Sequence, residues 1–180
     1  MGLKSKANSR PCVFFDRDGI VNESPGPGYV ERAADFHIHP AFLEALRVAC
    51  ERAYVTVIVT NQRGVGLGIM TETELVAIHK KLLDVIEREG LALTDIFSCT
   101  ADDNAHPNRK PNPGMLLEAA EKHGLDLSKS WMIGDSERDI TAGIRAGCRT
   151  ILVAPLDQHS AADYRVSDMA ACATLLREVL

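Results

Sequence analysis

Cys12-Val13-Phe14-Phe15-Asp16-Arg17-Asp18-Gly19-Ile20-Val21-Asn22 decides how this chain reads: an apolar run stops abruptly at Asp-Arg-Asp-Gly. The run has the length and composition of a short buried strand. Side chains alternate along a strand, so Asp16 and Asp18 are expected on one side and Arg17 on the other. Two carboxylates brought together repel unless a cation or a shared proton intervenes. The strand end therefore reads as a metal site, an acid/base pair or both. Its plain alternative is an Asp/Gly turn whose acids are merely solvated.

Working outward, Asn22–His39 carries Pro25-Gly26-Pro27-Gly28-Tyr29 and is too irregular for a helix, so it reads as a flap or hairpin beside the strand end. Pro40 opens a helix with an apolar stripe at Phe42, Leu43, Leu46, Ala49 and Cys50. Tyr54–Thr60 is a β-branched strand that ends in Thr60-Asn61-Gln62-Arg63-Gly64. Thr71 and Glu74 have capping-box spacing for a helix to about Glu89, stopped by Gly90. Asp95–Cys99 is a short strand. A polar loop then leads into Arg109-Lys110-Pro111-Asn112-Pro113-Gly114 and a helix to His123, closed by Gly124. Ser130–Ile133 is a strand ending in Gly134-Asp135-Ser136-Glu137-Arg138-Asp139, with a helix to Ala146 and a stop at Gly147. Thr150–Val153 is the last strand, and Ser167 is the expected cap of a final helix.

Strands alternating with helices across short loops predict an α/β fold, a three-layer doubly wound parallel sheet. Ligands in such sheets bind beyond the carboxyl ends of the strands, and Asp16, Thr60, Lys110 and Asp135 all fall on that edge. With 180 residues the chain is expected to be a single domain over 1–180, with 1–10 a flexible tail. Its net charge of −5 favours neither nucleic acid nor an anionic membrane as partner. No apolar run approaches the roughly 20 residues of a membrane span, and no signal-peptide core follows the polar N-terminus. Five scattered cysteines without a C-x-x-C pair fit reduced thiols in the cytoplasm. The oligomeric state is not legible.

Acids, a hydroxyl and a lysine on one edge suit phosphoryl transfer, which rests on positioning and charge neutralisation. In that reading Asp16 is the nucleophile and Asp18 the acid/base. Asp16 and Asp135 hold a magnesium ion, with Asp18 adding its main-chain carbonyl. Thr60, Asn61 and Lys110 hold the phosphoryl oxygens. Each group also has a plain reading: Thr60 as a strand end, Lys110 as a solvated charge, Asp135 as a helix cap, Arg109 as a surface cation or a clamp on a distal anion. The four segments in this order outweigh them.

That order resembles the four motifs of the haloacid dehalogenase (HAD) superfamily, from about Cys12 to Val153. FFDRDGIVN, GYV, VTNQRGVGLG, RKPNPGML and MIGDSERDITAG are similar to the branch of the D-glycero-D-manno-heptose-1,7-bisphosphate and histidinol-phosphate phosphatases. The resemblance implies a HAD-like, Rossmannoid fold, and since neither Asp18–Thr60 nor Asn61–Arg109 has room for an inserted cap domain once its helices are counted, it is expected to be capless with a short flap. It implies a magnesium-dependent phosphomonoesterase forming an aspartyl-phosphate on Asp16, with Asp18 as acid/base and magnesium on Asp16, Asp18 and Asp135. Substrate contacts are implied for Gly28, Tyr29, Thr60, Asn61, Arg63, Arg109 and Lys110. The expected substrate is a small phosphorylated metabolite, a sugar phosphate such as the heptose bisphosphate; histidinol phosphate or a nucleotide is the alternative. Two departures stand out. Members of the branch usually carry a zinc loop before Arg-Lys-Pro, but Cys99–Asn108 offers only Cys99 and His106, so no structural zinc is expected and His106 reads as a solvated loop residue. Leu67 stands where the branch has arginine, and Arg63 where serine is common. Outside enzymes, a phospho-accepting receiver module shares the acid pair, threonine and lysine, but its acceptor aspartate ends a mid-chain strand, and here Thr60 holds that place.

Overall fold

Alternation along β1 (Cys12–Phe15) sets the layers. Val13 and Phe15 point into one apolar cluster and Cys12 and Phe14 into another, and all of them are fully buried. A strand covered on both faces belongs at the centre of a parallel sheet. The computed structural model describes residues 9–157 and 159–180, and in it the sheet order is β3-β2-β1-β4-β5-β6. Every pairing is parallel, with Phe15 in register with Ile58 on β2 (Val55–Asn61) and with Ile133 on β4 (Trp131–Gly134). The other strands are β3 (Asp95–Cys99), β5 (Arg149–Val153) and β6 (Tyr164–Val166).

The chain runs outward from β1 through β2 to β3, then returns to the other side of β1 for β4, β5 and β6. The direction of winding reverses between β1 and β4, and a crevice opens there beyond the strand ends. Three helices cover one face: α1 (Pro40–Glu51), α3 (Glu72–Arg88) and α6 (Met169–Val179), with α1 packed against α6. The opposite face takes α4 (Gly114–His123) and α5 (Glu137–Ala146) through Met115, Leu116, Ala119 and Ala142. Both helices stop at the expected glycines, Gly124 and Gly147, in left-handed conformation.

The structure departs from the sequence reading at four places. β6 is a sixth strand; with three residues at the sheet edge, Tyr164 and Val166 half-buried and Arg165 exposed, it is too short to show a period. Asp168, not Ser167, caps α6, its carboxylate accepting the Ala171 N–H at 2.8 Å. Arg63–Gly66 forms a short helical turn, α2, inside the expected loop. Residues 1–8 of the expected tail lie outside the described residues, but Arg10 is tied down, pairing with Leu125 and donating its N–H to the Gly124 carbonyl at 3.1 Å. The flap is closed at its base by a bridge between Asn22 and Ile38. Cys12, Cys99, Cys148 and Cys172 are buried as small apolar groups. Among the described residues no helix is long and apolar enough to cross a membrane.

Candidate active site

Asp16 follows the last residue of β1 and still donates its N–H to the Ile133 carbonyl at 2.9 Å, so its place is fixed by the sheet. Its Oδ1 accepts from the Lys110 ammonium at 2.6 Å. Lys110 also donates to the Val59 carbonyl at 2.8 Å and pairs with Asp139 Oδ1 at 2.6 Å. An ammonium has three protons, so all of them have protein partners. Lys110 is thus a buried strut between two acids rather than the solvated loop charge of its plain reading. Asn61 holds this lysine's main chain, accepting the Lys110 N–H and donating to the Lys110 carbonyl, both at 3.0 Å.

Asp139 sits one turn into α5, where its Oδ2 accepts the Ser136 N–H at 3.1 Å and the Ser136 hydroxyl at 2.7 Å. That is a capping box, and it leaves Asp139 with both oxygens engaged. Asp135, just past β4, completes the group: carboxylate oxygens of Asp16, Asp135 and Asp139 all lie within 4.8 Å of one another. Gly19 makes that placement possible. With φ +93° it occupies backbone space that disfavours other residues, and a Cβ there would stand 2.0 Å from Asp135 Oδ2.

Burial, then the Asp139 charge, push the Asp16 carboxyl up to about 7, against the pull of Lys110. Asp135 is raised to about 6 by burial and by Asp139. For Lys110 burial works downward, but Asp139 and Asp16 outweigh it and hold the ammonium up at about 12. A lysine kept cationic by its acids and an acid pushed towards neutrality beside it look contradictory. The charge count resolves this: three carboxylates surround one ammonium, so full ionisation leaves two negative charges uncompensated. A divalent cation with oxygen preference fits that deficit and that donor set. Asp16 and Asp135 are the acids best able to serve it, since Asp139 has both oxygens taken.

Asp18 is placed differently from expectation. Arg17 does not turn away; its guanidinium folds back, with Nη2 donating to Oδ1 and Oδ2 of Asp18, both at 3.0 Å. Asn22 Nδ2 donates to Oδ1 and Gln62 Nε2 to Oδ2, again at 3.0 Å. The Asp18 side chain is therefore oriented by three residues and stands outside the acid triplet, which leaves its main-chain carbonyl as the group expected to face a metal. Arg17 is 1% exposed and lies 5.8 Å from the Phe36 ring centroid, where the flap base covers it. Three amides, those of Ile20, Val21 and Asn22, donate to the Arg17 carbonyl, which turns the chain sharply after Asp18. Gln62 also donates to the Thr60 hydroxyl at 2.8 Å and so links β2 to the Asp-Arg-Asp turn.

Asp16, Asp18, Thr60 and Lys110 line one cavity of about 340 Å³, the scale of a small-metabolite site. Its outer wall brings in Gly28, Tyr29, Asn61, Arg63 and Arg109, all expected from the sequence. Tyr29 lies over Gly64, whose absent Cβ would be 3.1 Å from the ring. Arg63 is paired with Asp102. Arg109 is buried and donates to Asn104 Oδ1 at 3.0 Å and to the Ala101 carbonyl at 3.2 Å. His106 is half-buried rather than solvated, its Nδ1 accepting the Asn108 N–H at 3.2 Å with the Cys99 sulfur 3.7 Å away. Sequence reasoning missed Gln62, Asn22 and Arg138 as site residues. The Ser-x-x-Asp spacing of Ser136 and Asp139 was a usable capping signal; nothing local marks the reach of Gln62 to Asp18.

The HAD-hydrolase-like family matches residues 107–173. The D-glycero-beta-D-manno-heptose-1,7-bisphosphate 7-phosphatase of Rhodopseudomonas palustris is 33% identical over 153 residues, 81% of this chain and 84% of that one. The protein of that name from Mesorhizobium japonicum is 34% identical over 145 residues, 76% of this chain and 66% of that one. Among solved structures, D,D-heptose 1,7-bisphosphate phosphatase from B. bronchiseptica, complexed with magnesium and phosphate, superposes with a TM-score of 0.82 at 28% identity, covering 94% of this chain and 99% of that one.

Proposed function

The chain belongs to the HAD-like hydrolases, in the branch of the heptose-bisphosphate phosphatases, and on that footing we propose that it is a magnesium-dependent phosphomonoesterase acting on a small sugar phosphate. The observation that carries this reading is the buried group of Asp16, Asp135 and Asp139 around Lys110, whose charge deficit borders the cavity lined by Asp16, Lys110 and Asp139. Asp16 and Asp135 would hold the magnesium ion, with the Asp18 main-chain carbonyl as a further ligand. When bound, the ion cancels the acid repulsion and draws negative charge from the phosphoryl group, so that an anionic nucleophile can approach it.

Asp16 attacks phosphorus through a carboxylate oxygen, and the bond from phosphorus to the leaving oxygen breaks. Asp18, held by Arg17, Asn22 and Gln62 at the cavity wall, gives that oxygen its proton. Asp18 then takes a proton from water, which attacks the aspartyl-phosphate and releases phosphate and free Asp16. Lys110 keeps Asp16 aimed, and Thr60 lies beside it in the cavity. D-glycero-D-manno-heptose 1,7-bisphosphate, the substrate named for the relatives, is the first candidate. One cytoplasmic domain with no structural zinc suffices for this chemistry.

Two measurements test the proposal. Acid-quenched enzyme turning over a radiolabelled phosphate ester should retain label, and Asp16→Asn should retain none. Asp16→Asn should also lower aryl phosphate hydrolysis by about 10⁴-fold or more, the scale seen when a covalent nucleophile is removed. Activity that survives thorough chelation would refute the metal's part.

A further inference from the structure

The cavity wall carries three arginines, Arg63, Arg109 and Arg138, and they differ in what they already hold. Arg63 is paired with Asp102, while Arg109 donates to Asn104 and to the Ala101 carbonyl. Arg138 is exposed, and among the described residues it has no hydrogen bond or ion pair to the protein. Its position is also unfavourable for the helix. It stands in the first turn of α5, behind the Ser136 cap, where the helix dipole favours acids such as the flanking Glu137 and Asp139. A solvated arginine is the plain reading of such a residue, but a base at the acid-preferring end of a helix, facing a cavity, breaks a local rule without a compensating partner. Positions of that kind are where function overrides stability.

We infer that Arg138 is a specificity-determining residue: its guanidinium receives a second phosphate on the substrate, remote from the phosphoryl group that Asp16 attacks. Three things support this. A planar fork with free N–H groups matches phosphate oxygens in pairs. Arg138 neighbours Asp139, which braces Lys110 against Asp16, so the free cation and the nucleophile share one rigid frame across one cavity. Arg63 and Arg109 already spend part of their five donors on protein partners, Arg63 on Asp102 and Arg109 on Asn104 and the Ala101 carbonyl, and Arg138 spends none among the described residues. The inference rests on the phosphatase reading above and adds which side chain selects the substrate.

The test compares wild type, Arg138→Gln and Arg138→Lys on an aryl monophosphate, a hexose bisphosphate and a hexose monophosphate bearing a carboxylate, with thermal melts as folding controls. Arg138→Gln should lower the preference for the bisphosphate over the aryl ester, as a ratio of kcat/KM, by about tenfold or more. The loss should fall mainly on KM for the bisphosphate. Arg138→Lys should recover part of that preference, since the charge stays and the fork is lost. An unchanged ratio overturns the inference, and so does a ratio that falls only for the carboxylate substrate. A wild type that hydrolyses no phosphate ester overturns the phosphatase reading and this inference with it, an outcome distinct from the other two.

Discussion

The two halves of the cavity wall are built on different principles. On the strand side, Asp16, Thr60 and Lys110 are 8%, 1% and 3% exposed, and each is hydrogen-bonded to its neighbours. On the other side, Glu23, Ser24 and Pro25-Gly26-Pro27-Gly28 form an exposed to half-exposed turn, joined to the body by the Asn22–Ile38 bridge and the lean of Tyr29 on Gly64. Groups that form and break bonds are locked where misplacement costs most. Groups that meet the rest of the substrate sit where the backbone tolerates change.

Damage should therefore be severe on the first side and mild on the second. The largest effect is expected for Lys110→Met, which removes the one cation among three acids. Breaking a buried pair from one side costs about 3–5 kcal/mol, so metal-free protein should show a large fall in Tm together with lost activity, and magnesium should recover more Tm here than in wild type. Gly19→Ala comes next. It adds about 1–2 kcal/mol of left-handed backbone strain and drives a Cβ into Asp135. An activity loss of about 10²-fold with a weakened affinity for magnesium, read as a higher concentration for half-activation, is the expected readout in a metal titration.

A smaller effect separates the halves by pH. Asp16 and Asp135 hold protons in the folded state, to about 7 and about 6, at pH values where the unfolded chain has released them from groups near 3.8. Their contribution therefore disfavours folding increasingly as pH rises from about 4 through about 7, and is absent below that window. Melts in chelator at pH 5 and pH 8 should show the decline, and saturating magnesium should flatten it; no dependence in chelator would remove the acid repulsion from the account. The smallest effect belongs to Tyr29→Ala on the flap. KM should rise a few-fold with Tm nearly unchanged, since a surface position seldom moves stability by more than about 0.5 kcal/mol.

Legibility in the sequence follows the same division. The apolar run Cys12–Phe15, the β-branched Val55–Thr60 and the stops at Gly124 and Gly147 are local patterns, and the elements lie within a residue or so of where those patterns put them. β6 is too short to carry a period. The partners of Asp18 were hidden for another reason. Gln62 reaches it across 44 residues of chain, and Arg17 folds back on it while lying over the Phe36 ring. Such contacts arise from packing, and no spacing rule encodes them. Asp139 shows the intermediate case: its cap to Ser136 is a local motif, whereas its grip on Lys110 exists only once α5 meets the loop after β3.

The double hydrogen bond between Asn61 and the main chain of Lys110 has a consequence for how this enzyme can diversify. A side-chain amide here acts as one extra rung of the sheet, mooring the far end of a long connection to β2. Whatever happens between Cys99 and Arg109 (insertion, deletion, gain or loss of metal ligands) ends at the same anchorage, and the lysine emerges in the same place. Variation can accumulate in that connection, and substrate choice with it, while the reacting carboxylate stays in register.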